Sequence, residues 1–277
     1  MSGEVIGDVR RAAVLGSPVE HSRSPQLHLA AYRALGLDGW TYERIECTAE
    51  QLPGFVRSRG PEWAGLSVTM PGKVAALDVA DSQSDRALLC GSANTLVHTS
   101  QGWHADCTDI DGVRGALLQG GVANLEGASV VVLGAGGTAR PAVYALAELG
   151  VAKITIVARD ANRARTAIEL SATLGMPARV IDLDERLVAE ACAASLAVVN
   201  TMPASAAAEL SGSVSEAPFV LDAIYDPWPT PLASAVTAAG GTVVSGLLML
   251  LNQAYGQVEQ FTGLPAPREA MAEALLG

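Results

Sequence analysis

The chain has 277 residues, 49% of them hydrophobic, and a formal net charge of −11. That length carries a prior of about two domains, and so apolar a composition excludes a natively disordered chain. The acidic balance, with no basic block to offset it, excludes nucleic acid and anionic membranes as partners, while local cations can still hold small anions.

Cys47, Cys90, Cys107 and Cys192 show no metal or redox spacing and read as core or chance thiols in a reducing cytoplasm. The polar start Met1–Arg11 has no apolar export segment, and the apolar run Ser245–Leu251 is too short to span a bilayer. The expectation is a soluble cytoplasmic protein.

Strand-like apolar runs alternate with helical patterns from end to end, which predicts an α/β fold with parallel sheets. Strands are expected at Arg11–Gly16, Thr41–Cys47 and Ala64–Val68, with a helix over Pro25–Leu35 stopped by Gly36. Gly16–Pro25 packs turn formers and hydroxyls ahead of that helix. Ser24 before Pro25 has the form of an N-cap. That leaves Ser22 unexplained, and two hydroxyls at a helix start make a carboxylate site. His21 alone reads as a hydrogen-bonded structural histidine.

The stretch Ser67–Lys73 holds one of only two lysines among 18 basic residues. A lysine kept where arginine is the habit points to a compact ammonium that can release a proton. A helix-start surface lysine after Pro71 is the equal alternative. Ser92–Val97 reads as a strand, Thr99–Gly102 as a turn leading back through Trp103, and Asp109–Gln119 as a helix connecting two domains. Asp109 suits its N-cap.

From Ser129 the pattern is that of a mononucleotide-binding unit. Strands are expected at Ser129–Leu133, Lys153–Ala158, Leu196–Asn200, Phe219–Asp222 and Thr242–Ser245. Helices are expected at Thr138–Leu149, Ala161–Leu174, Gly246–Phe261 and Pro267–Leu275. Between the first strand and first helix, Gly134-Ala135-Gly136-Gly137-Thr138-Ala139 fits the dinucleotide fingerprint in the context that it needs. Gly134 permits the tight turn, Gly136 admits the pyrophosphate, Ala139 lets helix and strand pack closely, and the helix N-terminus attracts the phosphates.

NAD enzymes usually carry an acid roughly twenty residues beyond that loop. Here the strand ends at Arg159, with Arg163 one turn later, and two guanidiniums suit the 2′-phosphate of NADP. Asp160 between them opposes that phosphate unless it caps the following helix.

Together these stretches resemble the shikimate dehydrogenase family over essentially the whole chain. His21–Pro25, Val68–Lys73, Ala93–Leu96, Thr108–Gly112, the glycine loop, Asp222–Pro227 with Thr230–Leu232, and Gly246–Gln253 occur in the family's order. The resemblance implies a substrate domain of residues 1–108, an NADP-binding Rossmann domain of 109–245, and C-terminal helices 246–277 returning to the first. It implies that Ser22 and Ser24 bind the substrate carboxylate with Tyr225 nearby. Thr69, Lys73, Asn94, Asp109 and Gln253 would hold ring hydroxyls. Lys73 and Asp109 would be the catalytic pair, and Gly246 and Met249 would complete the NADP site. The activity implied is reduction of 3-dehydroshikimate to shikimate with NADPH, by a monomer or homodimer.

Departures from the family pattern are Ser67 for Asn, Cys107 for Asn, Gly72 for a bulkier residue, and Ala158-Arg159-Asp160 for Asn-Arg-Thr. Asn200–Pro203 is a variant of a family loop, so Thr201 receives no role. The alternatives are an NAD-dependent quinate/shikimate dehydrogenase, which Asp160 favours, and an idle sensor of NADPH or shikimate, which Lys73 and Asp109 oppose. A folate dehydrogenase would share the fold but not Ser22, Ser24 and Asn94.

Overall fold

The structure, a computed structural model, describes residues 9–122 and 124–277. Most of the polar N-terminal segment therefore lies outside the described residues. The chain divides into two units: residues up to Thr108 with Gln253–Gly277, and Asp109–Asn252. The second division falls inside a helix at Gln253, not at Gly246 where that helix begins, so its first two turns belong to the second unit.

The first unit runs β1 (Arg11–Gly16), α1 (Ser24–Ala34), β2 (Thr41–Glu46), α2 (Leu52–Arg57) and β3 (Trp63–Val68), then α3 (Lys73–Val79), β4 (Ser82–Gln83), α4 (Asp85–Cys90), β5 (Thr95–Thr99) and β6 (Gly102–Asp106). The sheet order is β2-β1-β3-β5-β6-β4. β1 pairs in parallel with β2 and β3, whereas β5 runs antiparallel to both β3 and β6; the turn expected at Thr99–Gly102 folds β6 straight back on β5. All six residues of β3 are buried, as a central strand covered on both faces requires. Leu15, Leu52, Trp63, Leu66, Leu96 and Trp103 are among the side chains of this core.

The second unit runs α5 (Asp109–Gln119), β7 (Ser129–Leu133), α6 (Ala139–Glu148), β8 (Lys153–Val157), α7 (Ala161–Thr173) and β9 (Ala178–Ile181). It continues with α8 (Glu185–Ala193), β10 (Ala197–Asn200), α9 (Ala204–Ala208), α10 (Ser211–Val214), β11 (Phe219–Asp222), α11 (Pro231–Ala238) and β12 (Thr242–Ser245). The sheet order β12-β11-β10-β7-β8-β9 is parallel at every pair. It is the doubly wound order, with its switch point between β7 and β10, where ligands bind beyond the strand C-termini. The buried valines of β7 and β10 reflect cover on both faces.

Helix α12 (Gly246–Thr262) starts in the second unit and ends in the first, and α13 (Arg268–Leu276) packs against α1. Among the described residues, no helix is long and apolar enough to cross a membrane. All four cysteines are buried and none is in a disulfide, and burial pushes the Cys192 thiol up to about 12.

Candidate active site

In the first unit, loops at the ends of β1 and β3 converge because Gly16 has no side chain. A Cβ there would sit 2.3 Å from Thr69 Cγ2. The Thr69 N–H donates to Leu15 O at 2.8 Å and the Ser17 N–H to Met70 O at 3.1 Å, so the serine loop and the Thr69–Lys73 loop are laced together. Lys73 is the first residue of α3 and half-buried; its carbonyl accepts the Ala93 N–H at 2.9 Å, which sets Asn94 beside this loop.

Asn94 is 2% exposed and anchors the polar cluster. Its Nδ2 donates to Gln253 Oε1 at 2.6 Å and to Thr108 Oγ1 at 3.0 Å, and its Oδ1 accepts the Thr108 N–H at 2.7 Å. Gln257, one turn beyond Gln253, donates to Asn94 O and Thr95 Oγ1, both at 3.1 Å, and accepts from Ser67 Oγ at 2.8 Å. Ser67 in turn accepts from the Tyr42 hydroxyl at 2.7 Å. Tyr42 also shares a hydrogen bond with Ser24, which accepts from Ser22 Oγ at 3.2 Å. One hydrogen-bonded chain thus runs from Ser22 to Gln253 through buried side chains, each polar atom offsetting the desolvation of the next. Burial raises the Tyr42 pKa, opposed by its bonds to Ser67 and Ser24, so the phenol stays a neutral donor.

His28 stacks on Tyr42 with ring centroids 4.0 Å apart. Burial lowers its pKa to about 3 against a weaker opposing bond to Gln257, so it is a neutral packing element and no acid or base for catalysis near pH 7.

Ser24 does not cap α1. The helix begins at Ser24 itself with no side-chain cap, and the Ser22 hydroxyl accepts the Ser24 N–H at 3.3 Å. Pro25 has no N–H to satisfy in the first turn, and the Ser24 N–H is met by Ser22. Ser67, where the family pattern has Asn, is committed on both sides to Tyr42 and Gln257. Sequence reasoning missed Tyr42, Thr95, Thr108 and Gln257. Gln253 and Gln257 at i, i+4 in an apolar helix were the available signal.

In the second unit, Asp109 is the first residue of α5 and 4% exposed, and Tyr225 is half-buried in the loop after β11. A cavity of about 580 Å³ lies at the switch point, lined by Gly134, Ala135, Gly136, Arg159, Arg163 and Thr201 among others. Gly134 takes φ +100°, and a Cβ there would sit 2.8 Å from Thr201 Oγ1 and 2.9 Å from Met202 Cγ. Gly136 and Gly137 face open space. A bare backbone loop with room before it, at the switch point of a parallel sheet, fits a dinucleotide pyrophosphate.

Arg159 and Arg163 are exposed on this cavity, and neither forms an ion pair with a described residue. Asp160 is the N-cap of α7, its Oδ1 accepting the Asn162 N–H at 2.9 Å, so its charge is turned to the helix. Thr201, Met202 and Pro203 form a wall that the sequence left unassigned. Gly137, Thr138, Ala139, Gly246 and Met249 are not part of the lining. Ala139 is fully buried against the strand, and the Gly246 N–H donates to Ile224 O at 3.2 Å.

A doubly wound parallel sheet with a bare glycine loop and two open guanidiniums at its switch point defines a Rossmann-type dinucleotide-binding protein, whose first unit is rich in buried polar side chains. Three family profiles match: the shikimate dehydrogenase substrate binding domain over residues 14–96, shikimate/quinate 5-dehydrogenase over 116–208, and the shikimate 5'-dehydrogenase C-terminal domain over 246–276. Shikimate dehydrogenase (NADP(+)) of Caulobacter vibrioides is 37% identical over 290 residues, covering 100% of this chain and 99% of the relative. The crystal structure of Mycobacterium tuberculosis shikimate dehydrogenase matches with a TM-score of 0.91 at 60% identity, over 96% of this chain and 98% of that one. Shikimate 5-dehydrogenase of Thermus thermophilus, solved with NADP(H) and shikimate, matches with a TM-score of 0.80 at 31% identity, over 96% and 98%. The chain belongs to the shikimate dehydrogenase family.

Proposed function

We propose that the chain catalyses the NADPH-dependent reduction of 3-dehydroshikimate to shikimate, the step that leads toward chorismate and the aromatic amino acids. The observation that carries this reading is the buried polar chain of the first unit. It supplies hydroxyls at Ser22 and Ser24 for a carboxylate, and amides at Asn94 and Gln253 with the Lys73 ammonium for ring hydroxyls, alongside Thr69. On this reading the first unit holds substrate and the second holds NADP, with Tyr225 near the substrate carboxylate. The enzyme works in the cytoplasm as a monomer or homodimer.

Bound NADPH supplies the hydride that reduces the carbonyl carbon. As charge develops on the carbonyl oxygen, Lys73 stabilises it and donates the proton, help worth typically about 10²–10⁴-fold. Asp109, the other member of the catalytic pair, orients a ring hydroxyl. Arg159 and Arg163 would hold the 2′-phosphate by charge-assisted hydrogen bonds, while Asp160 is engaged by the start of α7, its Oδ1 accepting the Asn162 N–H.

The test is a steady-state assay crossing shikimate and quinate with NADP and NAD. The highest kcat/KM is expected for shikimate with NADP. A preference for NAD overturns the cofactor assignment, and a preference for quinate overturns the substrate.

A further inference from the structure

Asn200 ends β10 and Asp222 ends β11, and the parallel register sets them side by side. Both are fully buried, as is Thr230. Asp222 Oδ1 accepts from Asn200 Nδ2 at 2.9 Å and from the Ile224 N–H at 3.1 Å. Its Oδ2 accepts from Thr230 Oγ1 at 2.6 Å, and that hydroxyl oxygen accepts the Ala233 N–H at 3.0 Å to cap α11.

A carboxylate in an apolar sheet is costly unless fully hydrogen-bonded, and apolar residues of similar size pack there at less cost. What it does here is tie loops together. Asn200 Oδ1 accepts the Met202 N–H at 3.0 Å, and the Met202 side chain fills the space where a Gly134 Cβ would fall. A path therefore runs from Asp222 through Asn200 and Met202 to the glycine loop. The other arms fix the start and end of the Ile224–Thr230 loop, which carries Tyr225. Asp222 itself is no part of the cavity lining.

We infer that Asp222 is a positioning residue: through Asn200 it presses the Met202 wall of the nucleotide cavity against the glycine loop, and through Ile224 and Thr230 it sets the Tyr225 loop. The inference rests on the nucleotide reading of that cavity. It separates two arms of one carboxylate, one acting on cofactor and the other on substrate.

The test is NADPH fluorescence titration of the full-length protein and its variants, with KM for shikimate and each variant's fold checked by circular dichroism. Asn200→Ala and Asp222→Ala should weaken NADPH binding by about tenfold, the scale of a lost hydrogen bond to a charged group. Asp222→Asn keeps the Oδ1 acceptor and should stay within about threefold of wild type. Thr230→Val loses the Oδ2 arm together with the α11 cap but keeps the Oδ1 arm, and should leave NADPH binding alone while raising KM for shikimate at least about threefold. If Asp222→Ala does not fold, Asn200→Ala and Asp222→Asn decide. Wild-type NADPH affinity in folded Asn200→Ala overturns the inference, as does an equal loss in Asp222→Asn. A wild-type protein with no NADPH affinity would instead overturn the nucleotide reading itself.

Discussion

The two units prepare for their ligands in opposite ways. In the first, the candidate residues are side chains locked to one another, with Asn94, Ser24 and Gln253 each less than a tenth exposed. In the second, the cavity presents bare backbone at Gly134 and Gly136 and two exposed guanidiniums with no ion-pair partner among the described residues. A small polyhydroxylated ring needs several contacts of fixed direction, because a site built to pair each hydroxyl rejects a molecule lacking one. A dinucleotide is long and highly charged, and backbone N–H groups with flexible cations can grip it over many atoms. Single substitutions should therefore act sharply on the first side and gradually on the second.

The hardest test of that contrast is Lys73→Ala. On the proposed reading, removing the ammonium should lower kcat by about 10²–10⁴-fold while NADPH affinity stays near wild type. Lys73→Arg should fail similarly, since a guanidinium hardly releases its proton. A single-turnover rate close to wild type in either variant would remove Lys73 from the chemistry.

Acid should also separate the units, because His28 and Asp106 both lie in the first. His28 has its pKa lowered to about 3, so between about pH 6.5 and 3 the unfolded chain binds a proton that the native state refuses. Stability is lost as pH falls through that window, by at most about 1.4 kcal/mol per pH unit. Asp106 adds to this below about pH 4: burial opposes its charge, but Arg86, Ser84 and Gln260 together hold the carboxyl well below its usual range. Hydrogen exchange at about pH 3.5 should show loss of protection in β2, β5 and β6 before β7 and β10. The reverse order would contradict the assignment.

Arg159→Ala sharpens the comparison from the nucleotide side. It should raise KM for NADP by about tenfold and leave kcat and KM for shikimate unchanged, the pattern of lost uniform binding. A fall in kcat would mean that the guanidinium does more than hold phosphate. Asp160→Thr, which keeps an N-cap oxygen while removing the charge, should widen the preference for NADP over NAD.

Ser24→Ala is the mildest of the set. With no cap to lose, stability should change only by the hydrogen bonds to Ser22 and Tyr42, about 0.5–1.5 kcal/mol each. KM for shikimate should rise at constant kcat. A change in melting temperature with no change in KM would make the serine purely structural.

Much of this was legible in the sequence for definite reasons. β1, β7, β11 and β12 start and stop where apolar runs meet glycine or polar residues, and α5 runs between Asp109 and the Gly120-Gly121 stop. Helices α2, α3 and α4 span six or seven residues, less than two full turns, too short for a 3.6-residue period to declare itself. β9 is an edge strand with no fully buried residue, so it lacks the apolar run that revealed its neighbours. In the sites, residues whose chemistry is their side chain stood out, as Lys73 and Arg159 did. Residues that act through a partner did not. Tyr42 and Gln257 look like ordinary core positions until the strand and helix that carry them are brought together, and the Thr201–Pro203 wall is positioned by Asn200, whose partner lies 22 residues away.

The division of α12 between the units has a consequence for biosynthesis. The Asn94–Gln253 hydrogen bond joins residues 159 positions apart, and the Ser67–Gln257 bond spans 190. When Thr108 leaves the ribosome, the first unit still lacks the helix that completes its polar core, and the whole stretch Asp109–Asn252 must be made before that helix arrives. At about 5–20 residues per second this is a delay of roughly 7–30 s. The second unit, contiguous in sequence, can close first, so the usual N-to-C order of domain folding is inverted. A nascent chain arrested just past residue 252 should accordingly bind NADPH before it can hold shikimate.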